Sequence, residues 1–393
     1  MPSNMKKIDK VLSGLINRSL VLSLIARTPL ISRAQLAGLI DVKKSTITRI
    51  LNVLLEEDLV REIRKGPAGA LGGRRPIQLQ INPLARTVIA LDIRIQHIIV
   101  AISNLCGEIL FRAERPIESE QPPIAQLRAA LIQARSDRPD LFHPAAIIGI
   151  STPGIVDAAD GVLILSMSHG WKNQEIAASL KGEFQRPVFL ENDANAAAAG
   201  EMQNLEKSGV RSLIYLLIRE ARPRSKYPLG VGGAILLDGR IWRGARAYAG
   251  EVSKAVNDRI YSRMEHYDLK HSLPDSNGAL RMDAIVTAME SGDRQAEAFF
   301  YEMADIVGSV LCEMAAFLDP NAVVLSVLFS RAGDEFAQAA RESFERHRGR
   351  LVDSPAEFFP ALEKDDAPLR GIIAMALRRI FVADSQSCSL LFQ

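Results

Sequence analysis

Ser212-Leu-Ile-Tyr-Leu-Leu-Ile218, Val231-Gly-Gly-Ala-Ile-Leu-Leu237 and Arg240-Ile-Trp242 read as three consecutive strands, with Asp238-Gly239 joining the last two. Asp-Gly between apolar runs signals a two-residue hairpin, because both central positions of the favoured turn need positive φ. The same grouping stands earlier in the chain. Residues 87–94, 96–103 and 108–113 are apolar-rich runs, the last two separated by Asn104-Leu-Cys-Gly107. After each group, strand and helix patterns alternate. In the first half, 145–150 is a buried-strand pattern ending in Ser151-Thr152-Pro153-Gly154, and 187–190 is another, ending in Glu191-Asn192-Asp193 before an alanine-rich helix over 194–201. In the second half, helical patterns fill 292–318 and 333–347, a strand pattern lies at 322–327, and a last helix runs through 369–381. Three strands followed by α/β units, twice over, predict a duplicated α/β fold of two lobes with a cleft between them.

The segment before residue 86 has a different character. Residues 1–82 hold fourteen Lys and Arg against six Asp and Glu, a charge of +8, and the remainder carries −6. A basic head on an acidic body suits a nucleic-acid-binding module, since phosphate neutralisation supplies most non-specific affinity. Apolar residues from Leu15 to Ile25 at helical spacing predict a first helix, stopped at Thr28-Pro29. Ser32, with Gln35 three residues on, predicts a capped second helix. A third buries Ile47, Ile50, Leu51, Leu54 and Leu55, leaving Lys43, Lys44, Ser45, Thr46, Thr48 and Arg49 outside as a surface for phosphates and base edges. Strand patterns at 59–64 and 76–81 with a glycine-rich tip form a wing. In its Gly72-Gly73-Arg74-Arg75-Pro76 run, Arg74 and Arg75 suit a narrow A·T-rich minor groove.

The chain is 393 residues long, 48% apolar and 24% charged, which excludes general disorder and leaves room for a winged helix at 1–82 and a two-lobed domain at 86–393. Lobe one is expected over 86–193 plus the helix 369–381, and lobe two over 194–365. No apolar run approaches membrane-span length and the start has no cleavage signal, so a cytoplasmic protein is expected. Cys106, Cys312 and Cys388 show no C-x-x-C spacing.

Asn17-Arg18-Ser19-Leu20, Ser32-Arg33-Ala34-Gln35-Leu36-Ala37, Leu54-Leu55-Glu56-Glu57 and Gly72 to Pro76 together resemble the winged helix-turn-helix of regulators of the ROK family (repressor, open reading frame, kinase). One departure is Lys43, where such proteins usually carry Ser or Thr, leaving Asp41 as a substitute cap. The body resembles the family's sugar-kinase domain, an actin-like ATPase fold, through Gly149 to Asp157, Glu191 to Ala196, Gly239 to Ala245 and Ala249-Gly250-Glu251. The resemblance implies that Asp193 stands where active members keep the general base. It also implies three phosphate-binding turns, and this chain departs from each. Asp92-Ile93-Arg94-Ile95-Gln96 replaces one glycine turn, the basic run from Arg219 to Pro228 precedes what remains of the second, and Leu325-Ser326-Val327 replaces the third. Gly250-Glu251-Val252-Ser253-Lys254 leads into a segment without the family's zinc-binding cysteines, so neither zinc nor another cofactor is expected.

On the sugar side the resemblance implies a ligand pocket of Ser168, His169, Asn192, Asp193, Glu251 and Lys254. Lys254 in the family's histidine position points either to an anionic effector, a sugar acid or sugar phosphate, or to an ion pair with Asp193 or Glu251 in an empty site. The basic run 219–228 reads most simply as a solvated loop. The expectation is a non-enzymatic DNA-binding regulator, a repressor in form, sensing a carbohydrate-type ligand. As a homodimer or tetramer it would place two recognition helices on palindromic double-stranded DNA. The alternatives are a sugar kinase with an appended DNA module and a regulator answering to a protein partner.

Overall fold

The computed structural model describes residues 16–40, 42–65, 77–118, 121–221, 227–269, 281–328, 331–351, 356–363 and 366–381. In the head, helix α1 spans 16–27 and is followed by strand β1 (Ile31–Ser32), α2 (Arg33–Ile40), α3 (Lys44–Glu56), β2 (Val60–Lys65) and β3 (Ile77–Ile81). The expected cap of α2 is present and reciprocal. Gln35 N–H donates to Ser32 Oγ at 3.3 Å, and Ser32 N–H donates to Gln35 Oε1 at 2.9 Å. Ser32 also pairs with Gln78, so β1 adds a third strand to the wing in the order β1-β3-β2. Helix α3 buries Ile47, Ile50, Leu51 and Leu54 against Val21, Leu22, Ile25 and Leu36. Each such side chain is worth roughly 1.5–3 kcal/mol of burial. Lys43 precedes α3 without a side-chain capping bond, and Asp41 lies outside the described residues.

The first half of the body runs β4 (Thr87–Ile93), β5 (His97–Asn104), β6 (Ile109–Pro116), α4 (Pro123–Asp137), α5 (Pro139–Phe142) and β7 (Ala145–Thr152). A small antiparallel sheet follows, β8 (Ile155–Asp157), β9 (Val162–Ser166) and β10 (Trp171–Gln174), then α6 (Ile176–Phe184), β11 (Val188–Asn192) and α7 (Asp193–Leu205). The second half comprises β12 (Leu213–Glu220), β13 (Leu229–Leu237), β14 (Arg240–Ile241), α8 (Ser253–Met264), α9 (Met282–Glu290) and α10 (Arg294–Leu318). It ends with β15 (Ala322–Leu328), α11 (Gly333–Leu351), β16 (Glu357–Pro360) and α12 (Ala367–Phe381). The two main sheets have orders β6-β5-β4-β7-β11 and β14-β13-β12-β15-β16. In each, three antiparallel strands are extended by two parallel ones, which is the duplication expected from the sequence. Asp238 and Gly239 both have positive φ, 49° and 71°, as the hairpin between β13 and β14 requires.

Both sheets are covered on both faces, which explains why β4 and β7 are buried from end to end. Leu127, Leu131, Ile176 and Leu180 of α4 and α6 cover one face of the first sheet, and Leu369, Ile372 and Ile373 of α12 the other. In the second sheet Phe299, Phe300, Met303 and Phe344 of α10 and α11 cover one face, and Ala194, Ala198 and Met202 of α7 the other. Helices α7 and α12 are therefore the layer between the sheets. They cross with almost no clearance: a Cβ on Gly371 would stand 1.9 Å from the Ala196 carbonyl oxygen, and one on Gly200 would stand 3.2 Å from Gly371 Cα. The apolar cluster that holds α12 is continuous with that of the head, and Leu59 and Ile81 of the head belong to it together with Leu105 and Ile380.

The structure corrects one reading of the second sheet. Strand β12 continues through Glu220 and β13 begins at Leu229, with Arg219 opposite Gly230, so Arg219 belongs to a strand and not to a solvated loop.

Candidate functional site

The cleft is built at the ends of strands. Asp92, Ser151 and Glu191 stand abreast in register at the carboxyl ends of β4, β7 and β11, all almost fully buried. Carboxylates in such a place need partners, because an isolated buried charge is costly. Glu191 receives the Arg243 guanidinium from beyond β14, the Asn195 side-chain amide at 3.0 Å and the Asn192 N–H at 3.1 Å. Asp92 pairs with Arg94 at 2.9 Å, and Arg94 also reaches Asp366, just before α12, at 3.0 Å. Burial still pushes the Asp92 carboxyl up, against the opposing pull of Arg94.

Asn192 and Asp193 begin α7. The Asn192 side chain is consumed locally: Oδ1 accepts the Asn195 N–H at 3.0 Å and Nδ2 donates to the Gly154 carbonyl at 2.9 Å. Asp193 has its carboxylate at a helix N-terminus, where the backbone dipole favours negative charge. Its Oδ1 accepts the Ala194 N–H at 2.8 Å, and its Oδ2 accepts from Arg219 at 2.6 Å. The stem of Arg219 lies over Gly230, where a Cβ would come within 2.7 Å of its Cγ. Gly232, next on the same face, passes beside Ala194 and Asp193. The glycines of β13 thus make room for an arginine and a helix start.

Glu251 approaches from the loop after β14. That loop is seated by backbone contact, since a Cβ on Gly233 would stand 2.4 Å from the Gly250 oxygen and Gly250 itself has φ +87°. Glu251 opens onto the cleft, yet the surrounding protein and, secondarily, the charge of Asp193 push its carboxyl up. His169 forms part of the opposite wall. Its Nε2 bonds the Arg94 carbonyl at 3.0 Å and therefore carries the proton in the neutral ring, leaving Nδ1 to accept from Ser166 at 3.0 Å. The ring stacks on Trp171 at 4.2 Å, and Ser168 Oγ lies 3.2 Å from Ser166 Oγ.

Of the six residues expected at the pocket, Asn192 and Asp193 adjoin at the start of α7, Glu251 lies within reach of the Asp193 charge, and Ser168 and His169 stand beside the Arg94 turn. Lys254 is exposed on α8 and pairs with Asp258 one turn later, so it meets neither Asp193 nor Glu251. The i, i+4 spacing within one helix competes successfully for its ammonium. The cation beside Asp193 is Arg219, which sequence reasoning assigned to a loop; Glu191 and Arg243, inside quoted motifs, went unassigned.

In the head, Lys43, Lys44, Ser45, Thr48 and Arg49 are exposed along the start of α3, with Thr46 half-buried. Thr48 donates to the Lys44 carbonyl at 3.0 Å. Arg74 and Arg75 lie outside the described residues. Among the described residues no helix is long and apolar enough to cross a membrane.

A family model described as "ROK family" matches residues 88–258 and 262–379. The chain is 26% identical over 392 residues to a xylose repressor of Caldicellulosiruptor bescii, covering 92% of this chain and 95% of that protein. The fold is shared with a crystal structure described as a ROK family transcriptional regulator, homologous to the Escherichia coli Mlc protein, with TM-score 0.74 and 18% identity over 96% of this chain and 99% of that one. It is also shared, with TM-score 0.57 and 21% identity over 74% and 98%, with a Streptomyces griseus ROK glucokinase bound to glucose and AMPPNP.

Proposed function

The chain belongs to the ROK family, and from that premise we propose that it is a DNA-binding transcriptional repressor whose cleft takes a carbohydrate-type effector and transfers no phosphate. The observation that carries the non-enzymatic half is the Arg219–Asp193 pair. A general base must offer a free carboxylate oxygen to the proton it removes. Here Oδ1 is held by the first turn of α7 and Oδ2 by a guanidinium. The bulky turn at Arg94 to Gln96, tied to Asp366, adds a second obstacle where phosphates need bare backbone.

The sensing half rests on what stays open in the cleft. Glu251 and the half-buried Ser168 hydroxyl offer acceptors and a donor at the cleft, which suits the hydroxyls of a sugar. Lys254 no longer supports an acidic effector. The repressor half draws on the xylose repressor relative and on the exposed basic start of α3. A dimer would set two such helices in successive major grooves of a palindrome, with Arg74 and Arg75 in the flanking minor grooves.

The test is selection of bound DNA from a random pool by the purified protein, titration of the winner with neutral sugars, sugar acids and sugar phosphates, and an ATP-turnover assay with the same panel. The expected outcome is a palindromic site released by one sugar and no turnover. Sugar-dependent ATP hydrolysis would establish the kinase reading, and a palindrome released by no compound would point to a protein partner.

A further inference from the structure

A cavity of about 190 Å³ lies outside the cleft, in the groove between α7 and α12 and against the turn that joins β5 to β6. Its floor is apolar, with Ala197 from α7 and Ala374 and Leu377 from α12. Its polar wall is made by Glu201, Gln203, Asn204, Glu363 and Arg370, of which Glu201 is the buried one. That side chain is only 3% exposed, and its two oxygens are used unequally. Oε1 accepts the N–H groups of Leu362 at 2.7 Å and Glu363 at 3.4 Å, whereas Oε2 takes no hydrogen bond among the described residues. The nearest cation on the wall, Arg370, is engaged by Glu363 at 3.0 Å. Among the described residues this carboxylate has no counterion, and its unused oxygen opens onto the cavity, where a cationic partner would offset the cost of burying the rest of the side chain.

We propose that this groove is a second ligand site, which binds a primary alkylammonium: the ammonium on Glu201 Oε2 and a short chain along Ala197, Ala374 and Leu377. The chemistry of the wall selects this class. One free carboxylate oxygen beside an apolar floor does not supply the six to eight oxygens a calcium ion takes. An anion meets Glu201 and Glu363 together, and a purely apolar ligand leaves Oε2 unsatisfied. Three donors on a compact charged head match the open oxygen, and the methylenes match the floor. Burial, with a smaller contribution from Glu363, already pushes the Glu201 carboxyl up, as an unpaired charge there requires. The site lies on the two helices that form the layer between the sheets, and α12 continues into the core shared with the head. An occupant therefore touches the elements that connect the cleft to the DNA-binding module.

The experiment is calorimetric titration of the full chain at pH 8 with butylamine and 1,4-diaminobutane, against butanol and 1,4-butanediol as neutral chains of equal length. Saturable binding of the amines, at least tenfold tighter than of the alcohols, is expected. Glu201→Gln keeps the acceptor for Leu362 and Glu363 and removes the charge, and should weaken amine binding at least tenfold. Ala374→Phe fills the floor from the other helix and should abolish binding without touching Glu201. Equal affinity for amines and alcohols, or unchanged amine binding in both variants, would overturn the proposal and leave a water-filled groove.

Discussion

Asp193 and Glu251 lie close enough for the charge of one to act on the other, and their surroundings give them different duties. Asp193 is buried, capped by its own helix and paired with Arg219, so its charge is built into the fold. Removing the partner alone leaves that charge uncompensated, and Arg219→Gln is expected to cost roughly 3 kcal/mol in urea unfolding. The double variant with Asp193→Asn should recover a good part of the loss, because neither charge then remains; a double variant no more stable than Arg219→Gln would show that the uncompensated charge is not the source of the loss. Glu251 has no such partner among the described residues, and its carboxyl is raised above the ordinary value of 4.5. Between that value and the raised one the native state binds more protons than the unfolded chain, so stability falls as pH rises through the interval. Glu251→Gln lacks this term. The difference in unfolding free energy between the variant and the parent should therefore grow with pH across the interval and level off above it, in urea titrations run from pH 4 to pH 8.

Helices α7 and α12 show what the element scale adds. Their crossing depends on Gly371 and Gly200, and alanine at Gly371 would place a methyl 1.9 Å from a carbonyl oxygen. Alanine is the better helix former by about 1 kcal/mol, but overpacking typically costs about 1–3 kcal/mol, and a backbone atom cannot turn aside as a side chain can. Gly371→Ala should therefore lower the unfolding midpoint, whereas Gly182→Ala, with open space around it, should raise it or leave it unchanged. Elements of this kind were largely legible in the sequence. The Ser32–Gln35 cap, the Asp238-Gly239 hairpin and the doubled three-strand group all rest on neighbours in the chain or on hydropathic period, and such signals are local. The cleft was legible as a set of positions but not as a set of partners. Arg219 and Asp193 are 26 residues apart, and Arg243 and Glu191 are 52 apart. Only the meeting of the end of β12 with the start of α7, and of the loop after β14 with β11, brings them together. Lys254 failed for the converse reason, since a family position was read while a nearer carboxylate one helical turn away was not.

For the whole molecule, the decisive feature is that the head does not hang from a tether. Its helices share one apolar cluster with the first sheet and with α12, Leu105 and Ile380 among its members, and Leu105 N–H donates to the Pro83 carbonyl at 3.0 Å. A change of the cleft that moves α12, whose leading residue Asp366 is tied to Arg94, must then be felt by the head as displacement of a packed surface. For that to become regulation, the effector must prefer one arrangement of the cleft, because equal affinity for both shifts no population. The coupling itself can be measured without knowing the effector. A head joined through a common core should melt with lobe one in a single calorimetric transition, whereas a tethered module would melt by itself. Ile380→Ala removes a buried side chain from that shared cluster, at a cost of about 2–5 kcal/mol. It should split off an early transition of small enthalpy while leaving the main one near its parent temperature. A parent chain already showing two transitions would disprove the shared core, and a variant that lowers one undivided transition would place Ile380 in the body alone. Binding to DNA supplies the companion reading: with Lys44 on a phosphate, as the proposed docking has it, Lys44→Ala should weaken affinity and reduce the salt slope by about one, and an unchanged slope would count against that docking. Ile380→Ala should leave that slope unchanged, because the charges on α3 stay where they are.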